Sequence, residues 1–194
     1  MPIPPSPGDP ASGAAPTVAA LLASPLDGAL VDGLTLRRLA ERALAGLPVV
    51  DPEQTPGDAV LVIHDPACPS VPATFVRDLV EACRRTGRSQ VAVLAVTDTV
   101  KVTDGAVVGE TLDRDTLATI ASPIVLPPGV RPPGRDVAGI VEALRAGSEI
   151  DLVEAPAQVV RLMSAGDVAF LPSAGPAIDP DTEAATESSA GPGQ

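Results

Sequence analysis

Three small groups of polar residues in this chain stand where chemistry could be done. His64 and Asp65 follow directly on the apolar run AVLVI, Asp98, Thr99 and Lys101 follow QVAVLAV, and Arg161 and Ser164 close the run QVVRLMS. His64 is the only histidine and Lys101 the only lysine among 194 residues. If the aliphatic runs are strands of an open parallel sheet, these groups lie beyond the strand carboxyl ends, where such sheets bind ligands. Asp65 and Asp98 could equally cap loops or helices, a common use of Asp in strand-to-helix turns. The residues by themselves leave both roles open.

The elements that must position these groups can be read from periodicity. Leu36, Leu39, Ala40, Ala43, Leu44 and Leu47 recur at three-and-four spacing, with Arg37, Arg38, Glu41 and Arg42 opposite, which predicts a helix over roughly 34–45. DPEQTPGD is then a loop. Ala59 to Ile63 is apolar without interruption and bounded by turn residues, as in a strand buried on both faces. Thr74, Phe75, Val76, Leu79, Val80 and Cys83 mark a second helix, opened near Pro72 and closed by Arg84 and Arg85 before Gly87. Val91 to Val96 reads as another buried strand, so strand, helix and strand form a right-handed parallel crossover. In VKVTDGAVVGE, Asp104-Gly105 separates two alternating Val-rich segments and predicts a tight hairpin projecting from the sheet.

Further along, Asp115 to Ile120 suits a short helix. SPIVLPPGVRPPG carries five prolines in thirteen residues and is expected to be a surface loop, unable to continue a helix or a central strand. Val137, Ile140, Val141 and Leu144 predict a helix ending at Gly147, Ile150–Val153 and Val159–Met163 short strands, and Gly166–Leu171 a last helical turn. The fold class expected is a small α/β layered domain, with no internal repeat.

Composition sets the frame. The ends, 1–17 and 173–194, consist of Pro, Gly, Ala, Ser, Thr and acids with little to bury, and are expected to be disordered tails around one domain over 18–172. With two Phe and no Trp or Tyr, the core must be packed by Val, Leu, Ile and Ala. A net charge of −12 argues against nucleic-acid or anionic-membrane partners. Cys68 and Cys83 lie in apolar surroundings without ligand-like spacing, so free buried thiols are expected rather than a disulfide or zinc site. The longest early apolar run, VAALLA, is too short to export or span, and a cytoplasmic protein is expected.

The order of the polar residues adds a resemblance. V-L-V-I-H-D-P-A-C-P, then V-T-D-T-V-K, then T-L-D-R resembles the second half of the 2-C-methyl-D-erythritol 4-phosphate cytidylyltransferase family of the isoprenoid pathway. That family carries H-D-A-A-R-P, P-x-x-D-T-[VLM]-K, and T-x-x-R followed by T-P-Q. LVEAPAQVVRLMSAGDVAFL is similar to its final strand and helix, so the resemblance covers Ala59 to Leu171. It implies a Rossmann-like nucleotidyltransferase sheet with a β-hairpin arm through which the family dimerises, here Val100–Thr111. By the same resemblance Asp65 matches the acid that contacts the acceptor sugar phosphate. Thr99, Lys101 and Arg114 match polar groups on the arm that reach the partner's site, and Arg161 stands where the family has a Lys facing the acceptor.

Several positions depart from the family. Cys68 replaces the Arg of A-R-P, and T-P-Q has become Ser122-Pro123-Ile124. Neither L-A-A-G-x-G-x-R-[LMF]-G, which holds the triphosphate, nor G-G-x-x-R-x-x-S-V, near the base, occurs in residues 1–58, and LVDGLTLRRLAERAL resembles only the helix that follows the first. Cytidylyl transfer depends on positioned cations, normally with Mg²⁺, that offset phosphate charge. The first expectation is therefore a relative with lost or much reduced catalysis, acting by binding sugar phosphate or CTP, as a homodimer or with another chain. An active CTP-dependent enzyme, with Mg²⁺ and an atypical triphosphate site using Arg37, Arg38 and Arg42, is the second. An acidic interaction domain without a small ligand is the third.

Overall fold

The computed structural model describes residues 15–171 apart from 105, 106, 132 and 148. The expected tails fall outside the described residues over 1–14 and 173–194, and the first strand already begins at Thr17. In chain order the elements are β1 (Thr17–Leu21), β2 (Leu30–Val31), β3 (Leu34–Thr35), α1 (Leu36–Ala43), β4 (Val60–His64), α2 (Ala73–Thr86) and β5 (Ser89–Ala95). There follow β6 (Lys101–Asp104), β7 (Val107–Thr111), β8 (Ala118–Leu126), α3 (Val137–Gly147) and β9 (Ile150–Glu154). Short 3-10 helices lie at Pro52–Gln54, Arg114–Thr116 and Ala165–Phe170.

Five strands form one sheet in the order β1-β4-β8-β5-β9. Every residue of β4 is buried, as its unbroken apolar run requires. Its side chains alternate between two cores. Val60 and Val62 face Phe75, Val76, Leu79 and Val80 of α2 and Ala43 of α1, while Leu61 and Ile63 face Val137, Ile140, Val141 and Leu144 of α3. Helices therefore cover both faces, and each fully buried Leu or Ile contributes roughly 1.5–3 kcal/mol. α2 begins after Pro72 and stops at Gly87, whose φ of 69° is the left-handed C-cap that glycine adopts without a Cβ penalty. Cys68 and Cys83 are both free and buried.

β4 and β5 run the same way, as the crossover reading requires, with β8 lying between them and pairing antiparallel with both. Three expectations are corrected. The proline-rich segment is not wholly a loop, since its first five residues are the second half of β8, in the centre of the sheet. Pro123, which has no N–H to donate, falls where the β5–β8 register jumps from Val91↔Ile124 to Val93↔Ile120, so it sits in a bulge and no ladder bond is lost. The predicted helix at 115–120 is a single 3-10 turn, Arg114–Thr116, after which Thr119 and Ile120 join β8 because pairing with Leu94 and Val93 outweighs local propensity. Val159–Met163 carries no strand. Leu162 instead inserts its side chain beside Val31 and Leu36, and its N–H donates to the Ala67 carbonyl at 2.8 Å.

The predicted hairpin is present as β6 and β7, an antiparallel two-stranded sheet of its own. Gly105 of its turn lies outside the described residues. The same Asp-Gly signal also closes a shorter hairpin, β2–β3, where Asp32 and Gly33 take φ of 48° and 79°.

Candidate anion site at the end of strand β4

The chain leaves β4 at His64 and turns at once. Asp65 Oδ1 accepts the Ala67 N–H at 2.9 Å, and the Cys68 N–H donates to the Asp65 carbonyl at 2.9 Å. The capping role is therefore real. It does not exhaust the residue, because Oδ2 of the same carboxylate lies 2.8 Å from Arg161 Nη2. The pair is largely sequestered, with the side chains 9% and 24% exposed for Asp65 and Arg161. Arg161 reaches it from the irregular segment before the last 3-10 helix, 96 positions along the chain, held in place by the Leu162–Ala67 hydrogen bond. Its Nη1 is buried and has no hydrogen-bond partner in the chain.

Cys68 lies in the same pocket of residues and is fully buried. Burial pushes its thiol up to about 11, against the opposing pull of the nearby Arg161 guanidinium. Cys68 is thus a neutral thiol that leaves room for a guanidinium arriving from position 161. His64 is also fully buried. Burial lowers its pKa to about 4, against the raising effect of Asp65, so the ring is neutral near pH 7.

The structure does not bring the other predicted residues to this pair. Thr99 and Lys101 are exposed at the base of the hairpin, and Asp98 is exposed in the bend before it. Arg114 Nη1 donates to the Thr97 carbonyl at 3.0 Å, tying the 3-10 turn after the hairpin to the segment before it. Ser164 is an N-cap whose hydroxyl meets Asp167 Oδ1 at 2.9 Å. One site residue was not singled out by spacing. Ser122 Oγ lies 2.7 Å from His64 Nδ1 and 2.8 Å from the Asp65 N–H. Its only sequence signal was its place in the altered T-P-Q segment. A separate cavity of about 550 Å³, lined by Leu61, Ile63, Leu126 and Ile140 with Arg131 and Arg135 among others, opens on the α3 face and shares no lining residue with the Asp65–Arg161 pair.

A mixed sheet covered on both faces by helices, with an acid and a guanidinium at the end of its strand β4 and a separate hairpin arm, belongs to the nucleotidyltransferase-like α/β class. A family model for 2-C-methyl-D-erythritol 4-phosphate cytidylyltransferase (IspD) matches residues 13–169, and the chain belongs to that family. Among curated relatives of that name, the Saccharopolyspora erythraea protein is 33% identical over 134 residues and the Bacillus velezensis protein 29% over 136. Each match covers 64% of this chain but only 59% and 56% of the respective relative, so the chain spans less than two thirds of their length. Two solved structures of the cytidylyltransferase share the fold. That from Thermus thermophilus superposes with a TM-score of 0.61 at 21% identity, covering 79% of this chain and 95% of that one. The Francisella tularensis structure gives 0.62 at 16%, covering 80% and 97%. Among the described residues no helix is long and apolar enough to cross a membrane.

Proposed function

We propose that this chain is a family member that binds a sugar phosphate at Asp65 and Arg161 and has lost, or nearly lost, nucleotidyl transfer, acting by binding or through a partner chain. The observation that carries the reading is the segment after β1. Residues 22–28 contain no cation and are closed by their own turns, with Leu26 N–H on Ser24 Oγ and Ala29 N–H on the Leu26 carbonyl. Two cations of α1 are already paired with carboxylates. Arg37 lies 3.7 Å from Asp27 and 3.7 Å from Glu41, and Arg38 lies 3.2 Å from Glu41. Asp27 thus sets negative charge in the very segment where a triphosphate would have to lie. Positioning and charge compensation supply most phosphoryl-transfer catalysis, and residues 22–28 supply no cation of their own.

Anion binding at Arg161 is supported by its buried Nη1, a charged donor without a hydrogen-bond acceptor in the chain. The donor set does not suit Mg²⁺. Both oxygens of Asp65 are engaged, and among the described residues no cluster of three or more His, Cys, Asp or Glu could hold a metal.

Incubated with CTP, Mg²⁺ and 2-C-methyl-D-erythritol 4-phosphate, the protein is expected to release no pyrophosphate above background, while the sugar phosphate alone raises its Tm. Turnover would overturn the reading in favour of an active enzyme, and no thermal shift with any ligand would favour an interaction domain. The arm is the proposed contact between two copies. Val102 and Val108 on it are 42% and 61% exposed, apolar surface that a partner would cover. Deleting 102–108 is expected to halve the mass measured by light scattering, and an unchanged mass would remove the arm from the interface.

A further inference from the structure

We infer that Ser122 is the positioning residue of this site: its hydroxyl holds the Asp65 turn and fixes His64 as the Nε2–H tautomer. The inference deepens the binding role proposed above and rests on it where ligand affinity is concerned. It begins from register. β4 and β8 are antiparallel with Ile63 opposite Ile124, and continuing that register two residues sets Ser122 across from Asp65. The Ser122 side chain is therefore placed to bridge the strand end and the turn. It is 1% exposed, so its hydrogen bonds must be found within the protein.

A hydroxyl has one proton to give and two lone pairs to accept with. Ser122 Oγ accepts the Asp65 N–H at 2.8 Å. Its remaining close contact is His64 Nδ1 at 2.7 Å. If Nδ1 carried the ring proton, both groups would donate into Oγ. The serine proton would then have no acceptor, and the bare Nε2, buried without a partner, would be a second unsatisfied group. If the serine proton is given to Nδ1, only one group, Nε2–H, is left unpaired. Leaving fewer buried polar groups unmade is the lower-energy choice, so the ring proton sits on Nε2. One residue of β8 thus touches both His64 and Asp65, and through Asp65 it sets where Arg161 is held.

Because the chain has a single histidine, its ring nitrogens can be observed without assignment ambiguity. Long-range ¹H–¹⁵N correlation spectra of the full chain at neutral pH are expected to show Nδ1 as the unprotonated nitrogen and Nε2 as the protonated one. Ser122→Ala is expected to remove that preference and to weaken 2-C-methyl-D-erythritol 4-phosphate about tenfold in calorimetry, the scale of one lost buried hydrogen bond. Ser122→Thr, which keeps the hydroxyl, should restore both. A wild-type ring protonated on Nδ1 overturns the inference whether or not any variant folds. So does an affinity unchanged in a folded Ser122→Ala protein. If the wild type binds no sugar phosphate, the proposed function fails, and the tautomer measurement decides the positioning role by itself.

Discussion

Replacing Arg161 with alanine is expected to lower the folding free energy by about 3–5 kcal/mol, the usual cost of removing one partner from a buried ion pair. The physical reason is Asp65. Its side chain is 9% exposed, and its Oδ2 has the Arg161 guanidinium at 2.8 Å as its charged partner. Without Arg161, a carboxylate remains out of water with only the Ala67 N–H on Oδ1. The double substitution Asp65→Ala with Arg161→Ala should cost clearly less than the sum of the single ones, because no orphaned charge is left. Arg161→Lys should recover part of the loss, since an ammonium keeps the charge but lacks the planar guanidinium that meets Asp65 Oδ2 at 2.8 Å. Urea unfolding at pH 7 measures all four proteins. A loss below about 1 kcal/mol for Arg161→Ala would place the pair among solvent-screened surface contacts and would remove the premise of a buried anion site.

Acid should destabilise the protein well before its carboxylates titrate. His64 has a folded pKa of about 4 against 6.5 for the free side chain, lowered by burial. Between those values the unfolded chain binds a proton that the folded one refuses, so stability rises with pH across the window and falls as pH falls. The contribution is complete above about pH 6.5 and is lost progressively toward pH 4. At about 1.36 kcal/mol per pH unit, the expected loss is about 2 kcal/mol at pH 5 and about 3 kcal/mol at pH 4. His64→Gln carries no titrating group, and its stability should change little between pH 7 and pH 5, whatever its starting level. Equal slopes for the two proteins in urea midpoints over that range would show that the ring is not buried neutral.

Legibility in the sequence followed the range of the interaction involved. β4 could be read because five consecutive buried residues leave an unbroken apolar run, and α2 because its stripe and its Pro72 and Gly87 ends are local signals. The hairpin arm was announced by Asp-Gly between alternating valines, and Asp65 by its position after a strand together with the H-D-P-A-C-P resemblance. β8 was misread because its second half is proline-rich, and the bulge that accommodates Pro123 is defined only by its partner strand β5. The parallel direction of β4 and β5 could be read from the helix between them, but nothing local to either strand reports that β8 inserts between them.

The site divides in the same way. From its own order of residues, the chain determined a helix-covered sheet, the family resemblance, and the absence of any lysine before Lys101 where a triphosphate would bind. Only the tertiary structure decided which of the candidate groups meet. It joined Arg161 to Asp65 and set Ser122 between His64 and Asp65, and it left Thr99 and Lys101 exposed on the arm. Those pairings lie 57 to 96 positions apart, and the strand register and loop closures that create them are stabilised by burial across the whole core. Periodicity reports which face of an element is apolar, but not which distant side chain that face will be pressed against.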